Sequence, residues 1–412
     1  MIRSLRTGVT GLRANQLRLD VIGNNIAGVN TTGFKRSRVL FQDALTQRIA
    51  TGGRLAGPNP AGISNVGNGV SAAAVDQVWS QGTLEYTNLP TDLALAGDGF
   101  FIAKGPQGNA LTRAGAFAFD ADGYLVTPGG LRVQGWKAAA DGTVSTGALQ
   151  NVRIDPSVTA DPVQTTGLTV NGNLSAERPV GSEVTMTSVV YDGTGVSHTV
   201  VLTATRQADP DATSTAWSLT SAGIVNADGS TRDLPGINGD DLVFDTNGQL
   251  TAGGAFTIDA VFPDGAALAV DMSALTQFGG STTAVVASQT GSPAGDLVDY
   301  TFDQGGRLIL SFSNGERRTE AQLALGAVTN PDGLDQIGDG FYATTVVSGD
   351  LQIGRGGSEI DASVISGALE SSNVDLAEEF TDMIVAQRGY QANARVITTS
   401  DELLQETVQL KR

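Results

Sequence analysis

No cysteine occurs in the 412 residues, which excludes disulfide cross-links, thiolate metal sites and thiol nucleophiles. Histidine is reduced to His198, set in the alternating run Gly-Val-Ser-His-Thr-Val. Such a position reads as a half-exposed strand residue, and a catalytic triad or imidazole zinc site has almost nothing to build from. Lysine is scarce too, four residues against 21 arginines. That bias suits planar, multi-donor contacts at interfaces, and a GC-rich coding sequence produces it equally. Bases in general are short: 25 Lys and Arg face 43 Asp and Glu, a net charge of −18 with a pI near 4.3. This argues against nucleic acid and anionic membrane as main partners. No stretch approaches the roughly 18 apolar residues of a membrane span. Arg3, Arg6, Arg13 and Arg18 break up any apolar core of a cleavable secretory signal. A phosphate-binding Gly-x-x-x-x-Gly-Lys-[Ser/Thr] loop and a Gly-x-Ser-x-Gly turn are both missing. The sequence therefore predicts no enzyme, with no catalytic residue, no cofactor and no metal ligand. Asp120-Ala121-Asp122-Gly123 lacks the remaining ligands of a calcium loop and reads as turn chemistry.

What is present is concentrated at the two ends. Ile2, Leu5, Val9, Leu12, Gln16, Leu19, Gly23 and Ile26 fall at alternating three- and four-residue spacings, the stripe of a coiled-coil seam. Leu376, Phe380, Met383, Gln387, Tyr390, Ala394, Ile397, Asp401, Leu404 and Val408 repeat the period at the other end. Residues 1–48 hold eight bases against two acids, a net of +6, and residues 370–412 hold four bases against eight acids, a net of −4. Opposite signs favour packing of the ends together, and the same stripes suit packing against further copies. Gln16, Gln387 and Asp401 are poor core residues for an isolated pair; they fix register in an assembly or simply face solvent. Leu5, Leu12, Leu19 and Ile26 contribute about 1.5–3 kcal/mol each if fully buried. Ordering the backbone costs about 1–2 kcal/mol per residue. The seam alone loses that comparison, so both ends are expected to become helical only when neighbours add buried surface.

Between the ends the texture is β-rich. Short alternating runs are separated by Asp-Gly and Asn-Gly pairs such as Asp122-Gly123, Asn247-Gly248 and Asn314-Gly315, the signature of strands and hairpins. Phe-Asp-x-x-Gly-x-Leu recurs at Phe119, Phe244 and Phe302, and Gly-Asp-Gly-Phe recurs at Gly97 and Gly338. The second pair lies on either side of a central portion, roughly 148–289, whose flanks are Gly- and Thr-rich. The predicted fold is multi-domain, with α-helical, coiled-coil-like N- and C-terminal ends flanking mainly-β domains, one β domain inserted in another. Its parts are a helical polymerisation domain (1–30 with 376–412), linkers (31–70 with 366–375), a discontinuous inner β domain (71–147 with 290–365) and an inserted outer β domain (148–289).

Leu19-Asp20-Val21-Ile22-Gly23-Asn24-Asn25-Ile26-Ala27-Gly28-Val29-Asn30-Thr31-Thr32-Gly33-Phe34-Lys35 resembles the N-terminal signature of the bacterial flagellar rod and hook axial proteins. Ser372-Asn373-Val374-Asp375-Leu376 and the run from Met383 through Gln387 and Arg388 to Asn393 resemble the C-terminal signature of the same family. Gln81-Gly82-Thr83-Leu84 and Asp92 to Phe101 are similar to its shared β domain. Asn373-Val374-Asp375-Leu376 followed by Glu379-Phe380, with a large inserted lobe, resembles the hook branch; the distal rod branch and a secreted β-rich adhesin are the alternatives. Gly28 departs from the family, which commonly has Asn there. The resemblance implies a flagellar hook subunit, extracellular and exported without a cleaved signal peptide. It further implies a flexible, curved helical tube that couples motor torque to the filament. The implied partners are further copies of itself, the rod and hook–filament junction proteins, the hook cap and the type III export apparatus. The expected polymerisation interface comprises Ile2, Leu5, Val9, Leu12, Leu19, Ile26, Leu376, Phe380, Met383, Tyr390, Ile397, Leu404 and Val408. The family motif positions are Asn24, Asn25, Asn30, Thr31, Gly33, Phe34, Ser372, Asn373, Gln387 and Arg388.

Overall fold

The computed structural model describes residues 2–44, 47–49, 64–66, 69–106, 108–139, 141–210, 214–226, 228–234, 236–259, 261–262 and 265–409, without the side chains of 2–3, 47–49, 64–66, 236 and 408. Two compact units divide it: residues 1–155, 300–310 and 318–412 form unit 1, and residues 156–299 with 311–317 form unit 2.

Unit 1 contains both ends of the chain as helices, α1 (Ile2–Ala27) and α2 (Leu376–Gln409). They run antiparallel, since Ser4 meets Ser400, Arg18 meets Asp382 and Asn25 meets Glu379. Both ends are helical in the fold and pack on one another. Each end covers surface on the other beyond what its own apolar stripe buries. Asp375 starts α2: its carboxylate accepts from the backbone N–H of Ala377 at 2.8 Å and of Glu378 at 3.3 Å, and Glu378 and Glu379 in the first turn suit the helix dipole.

The linker reading of 31–70 is corrected at its ends. Ser37–Asp43 is a strand, antiparallel to Val70–Gln77 with Ser37 opposite Gln77 and Asp43 opposite Val70. Residues 45–46, 50–63 and 67–68 of that reading lie outside the described residues. Within 366–375, Ala368–Glu370 is likewise a strand, paired with Leu84–Tyr86. The β-branched and aromatic residues of Val39-Leu40-Phe41 favour a strand, whereas the neighbouring Gly, Asn and Ser read as loop.

The β body of unit 1 knits early to late sequence. Leu93–Gly97 pairs with Ala362–Ser366. A sheet runs in the order Arg132–Lys137, Phe100–Gly105, Gly108–Thr112, Phe341–Ala343, Asp335–Gly338. The repeated Gly-Asp-Gly-Phe segments flank one strand of it: Phe101 and Phe341 both stand opposite Thr112. Phe100, Ile102, Leu111, Trp136 and Tyr342 form its core, with Trp79 edge-on to Phe100 and Tyr342 at 5.3 and 5.0 Å between ring centres.

Unit 2 packs two sheets over one core. Five strands lie in the order Gly236–Gly239, Ala255–Asp259, Leu268–Thr276, Gly167–Asn173, Val285–Gln289. The other sheet is built on Glu183–Tyr191, Ser197–Arg206, Thr215–Val225, Leu242–Phe244 and Leu250–Ala252. Trp217, Phe244 and Phe262 are fully covered between them. The Phe-Asp-x-x-Gly turns share one device in both units. Asp120, Asp245 and Asp303 each turn a carboxylate oxygen onto the N–H four residues on, at 2.7, 2.9 and 2.7 Å.

His198 is buried, not half-exposed. Its ring nitrogens face Asn226 Oδ1 at 3.1 Å and Asp192 Oδ2 at 3.3 Å, so the polar edge is satisfied inside the strand layer.

Candidate assembly surface and its anchoring hub

Where α1, α2 and the first strands of unit 1 converge, the signature residues form a polar hub. Asn25, almost fully buried, closes a two-way bond with Ser37: its Oδ1 accepts from Ser37 N at 2.9 Å and its Nδ2 donates to Ser37 O at 2.8 Å. The same amide lies 3.1 Å from Glu379 Oε1 on α2. Asn373 accepts from Arg36 N at 2.7 Å and donates to Val78 O and Ser80 O at 2.7 and 3.0 Å. Beside it, the buried Lys35 ammonium reaches Glu370 Oε1 at 2.6 Å and Ser80 O at 2.9 Å. Arg113, also buried, approaches Glu370 Oε2 at 3.6 Å and donates to Gly97 O at 2.9 Å.

Burial pulls both Lys35 and Arg113 below their usual values, and Glu370 opposes the shift in each by hydrogen bond and charge. Burial also raises Glu379, against its bond from Asn25 and the Arg36 charge. Breaking such a pair strands a charge away from water, so the hub welds the helical ends to the strands of unit 1. Gly33 belongs to it as backbone. Its φ is +68°, its N–H donates to Glu370 O at 2.7 Å, and a Cβ there would lie 2.6 Å from Ala114 N. The departure at Gly28 has a steric partner: a Cβ would come within 2.7 Å of the Phe34 ring.

The helices approach through small residues. A Cβ on Gly8 would be 3.1 Å from Ile397, one on Gly11 would be 2.7 Å from the Asn393 amide, and one on Gly389 would be 2.8 Å from Asn15. Ala386 is wholly covered and Ala14 and Ile22 are buried. On α1 the contact row is therefore Ser4, Gly8, Gly11, Asn15, Arg18, Ile22 and Asn25, a heptad row one residue behind the expected stripe. Leu5, Val9, Leu12, Leu19 and Ile26 are only half-buried.

On α2, Ile397 sits in the seam, while Met383 and Leu404 are half-buried. Leu376, Phe380 and Tyr390 are exposed. The side chains of Ile2 and Val408 lie outside the described residues. Ile384, Val385, Val396 and Leu403 add to the bare apolar surface, Phe380 and Ile384 showing 51 and 58 % of their area. Among the motif residues, Asn25, Gly33 and Asn373 are in the hub, with Phe34 and Ser372 partly covered beside it. Asn24, Asn30, Thr31, Gln387 and Arg388 are exposed. Gln16 and Asp401 are exposed as well.

Sequence reasoning missed Lys35, Arg113, Glu370 and Glu379 as a group. Nothing in Ala368-Leu369-Glu370 marks Glu370 as inward; only the strand's covering at its first and third residues does.

Helical termini clasped on a β body through these motifs define an axial subunit of the flagellar rod and hook class, and family models agree. "Flagella basal body rod protein" matches residues 5–35, "Flagellar hook protein FlgE/F/G D1 domain" residues 94–176, and "Flagellar basal body rod FlgEFG protein C-terminal" residues 365–410. None of the three describes an enzyme. Over the whole length, the chain is 35 % identical to the flagellar hook protein FlgE of Borreliella burgdorferi and 34 % identical to that of Treponema pallidum, each covering 100 % of both chains. It is 32 % identical to that of Salmonella typhimurium, covering 99 % of this chain and 100 % of the relative. The chain belongs to the flagellar hook protein family. The crystal structure of Helicobacter pylori flagellar hook protein FlgE2 aligns with a TM-score of 0.49 at 16 % identity, over 70 % of this chain and 100 % of that one.

Proposed function

We propose that this chain is the structural subunit of a flagellar hook, polymerising with itself into a helical, curved and flexible tube that passes motor torque to the filament. The observation that carries the reading is the set of apolar side chains that the seam leaves exposed on α2. The seam consumes the small residues of α1 and α2 and leaves Phe380, Ile384, Val385 and Leu403 exposed on α2, while the leucines of α1 are half-covered. Covering the exposed half of each such side chain contributes about 1 kcal/mol, and so many apolar side chains left exposed on one helix mark an interaction surface. Hydrophobic residues are arranged so that one molecule pairs its own ends and still presents a second stripe to its neighbours. Such a contact between unlike patches generates helical polymers when the rotation does not close.

Exposed Asn24, Gln387 and Arg388 stand on the same helices as polar specifiers of that contact. The family's setting supplies the remaining partners: the rod below, the hook–filament junction proteins above, the hook cap during growth and the type III export apparatus for delivery.

Removing residues 397–412 tests the reading. The seam partner of Gly8 and the end of the stripe go, while the hub and the β body stay. The expected result is loss of tubes in negative-stain micrographs and loss of pelletable polymer, with the β circular dichroism and its thermal transition retained. A truncated chain that still forms tubes overturns the proposal.

A further inference from the structure

Acids outnumber bases 43 to 25, yet bases gather around the strand Arg132–Lys137 of the unit 1 sheet. Lys104 and Arg132 stand directly opposite each other on adjacent antiparallel strands, a placement that costs stability between like charges. Lys137 follows on the same strand as Arg132, and Arg153 lies near; all four are exposed. Arg132 and Arg153 are held against Tyr124, 4.0 and 5.3 Å from its ring centre. Lys104 and Lys137 have no ion-pair partner among the described residues.

Lys104, Lys137 and Arg153 rim a cleft of about 440 Å³ floored by Gln134 and Trp136. Its lining acids are Asp155 and Glu320, and Glu320 already has Arg318 at 3.6 Å. A cleft that gathers unneutralised bases on an acidic protein is built for a carboxylate-bearing partner.

The far side of the same sheet carries the opposite charge. Between Arg318 and Arg355 the sequence has no base and five acids. Three of them are exposed at the sheet's outer edge, Asp335 on the outermost strand Asp335–Gly338 and Asp332 and Asp339 in the turns on either side of it, with Ile337 half exposed on the strand. Four strand steps separate Arg132–Lys137 from this edge, about 19 Å at the usual strand spacing of roughly 4.8 Å. One molecule cannot bring its own acidic edge into its own basic cleft, whereas two copies placed head to tail can.

We infer that the cleft rimmed by Lys104, Lys137 and Arg153 receives the Asp332–Asp339 edge of a second copy of this chain, a heterologous contact that links the β bodies of successive subunits. The inference rests on the assembly reading above and adds to it a second, electrostatic contact independent of the helices.

The test is a charge swap read as the critical concentration for pelletable polymer at low salt. Lys104→Glu with Lys137→Glu, and separately Asp332→Lys with Asp335→Lys, should each raise it about tenfold or more. Lys104→Gln with Lys137→Gln, which removes charge without adding repulsion, should give a smaller rise. The chain carrying all four reversals should return to within about threefold of the parent, and so should an equimolar mixture of the two pair variants, in which every cleft meets an edge of opposite sign. Unchanged thermal transitions establish that each variant folds. Pair variants that match the parent, or a four-reversal chain no better than the pairs, overturn the inference while leaving the assembly reading intact. A parent that stays soluble at every concentration sinks the assembly reading itself and the inference with it.

Discussion

Single side chains in this molecule take their meaning from which strand face they occupy. His198 shows how far a local reading goes: alternation identified a strand residue, but burial was decided by Asp192 and Asn226, which lie 6 and 28 residues away in sequence. Lys35 and Glu370 make the same point across 335 residues; composition reports their charges, and only the pairing of Ala368–Glu370 with Leu84–Tyr86 makes them a pair. Asp192 carries a prediction of its own. One of its oxygens accepts from Thr194 N, Thr194 Oγ1 and Val196 N at 2.9, 2.7 and 2.9 Å, and the other faces His198. Burial works against ionisation, but these bonds outweigh it and bring the carboxyl from 3.8 down to about 2. A folded-state value below the unfolded one lends stability that is complete above about pH 4 and lost as pH falls through about 2. The Asp192→Asn chain should therefore start with a lower melting point at pH 7 and lose less between pH 4 and pH 2 than the parent. The resonances of the sole histidine report this transition without overlap. Parallel melting curves for the two chains would show that the carboxylate is not the titrating support.

Helices α1 and α2 were legible as elements, and their seam was legible in period but not in phase. A heptad row of Leu, Val and Ile is the obvious candidate for the contact, and the helices instead touch through Ser4, Gly8, Gly11, Asn15, Arg18, Ile22 and Asn25. The reason is distance. Glycine and alanine let two backbones approach closely, so the pair gains packing that a leucine at the same place would prevent. The apolar row then remains available for a second use. This separates two kinds of substitution. Ala386→Leu places a branched side chain at a site with no free area and should cost about 1–3 kcal/mol through overpacking. It should appear as a lower melting temperature of the 222 nm helical signal. Phe380→Ala removes a ring already half in water, so it should leave that melt nearly unchanged while raising the critical concentration for polymer. Equal effects of the two substitutions on the melt would mean that the exposed row belongs to the folded chain and not to its neighbours.

For the whole molecule, nesting in chain order is the organising feature: residues 156–299 with 311–317 form one unit, and chain on both sides of them forms the other. Two Gly-Asp-Gly-Phe segments some 240 residues apart sit on either side of one strand, so the early and late halves of the β body had to meet. What could not be read was the strand pairing inside the second unit, where Gly167–Asn173 runs parallel to Leu268–Thr276; a parallel pair needs a long crossover that no turn signal marks. The root of that unit is simpler. Thr159 stands opposite Asp296 and Ala160 opposite Gly295 in an antiparallel pair, so the chain leaves and returns side by side. An Asn-Gly two-residue turn spans such a pair directly. Replacing residues 161–294 by Asn-Gly should therefore leave a soluble chain that melts cooperatively. The helices, the hub and the charged edges all lie outside the excised stretch, so this chain should also still polymerise. Its tubes should differ from the parent's in curvature or stiffness, which cryo-electron micrographs measure as persistence length. An excised chain that folds but never polymerises would move the assembly determinants into residues 161–294, and the apolar row on α2 would lose its assigned role.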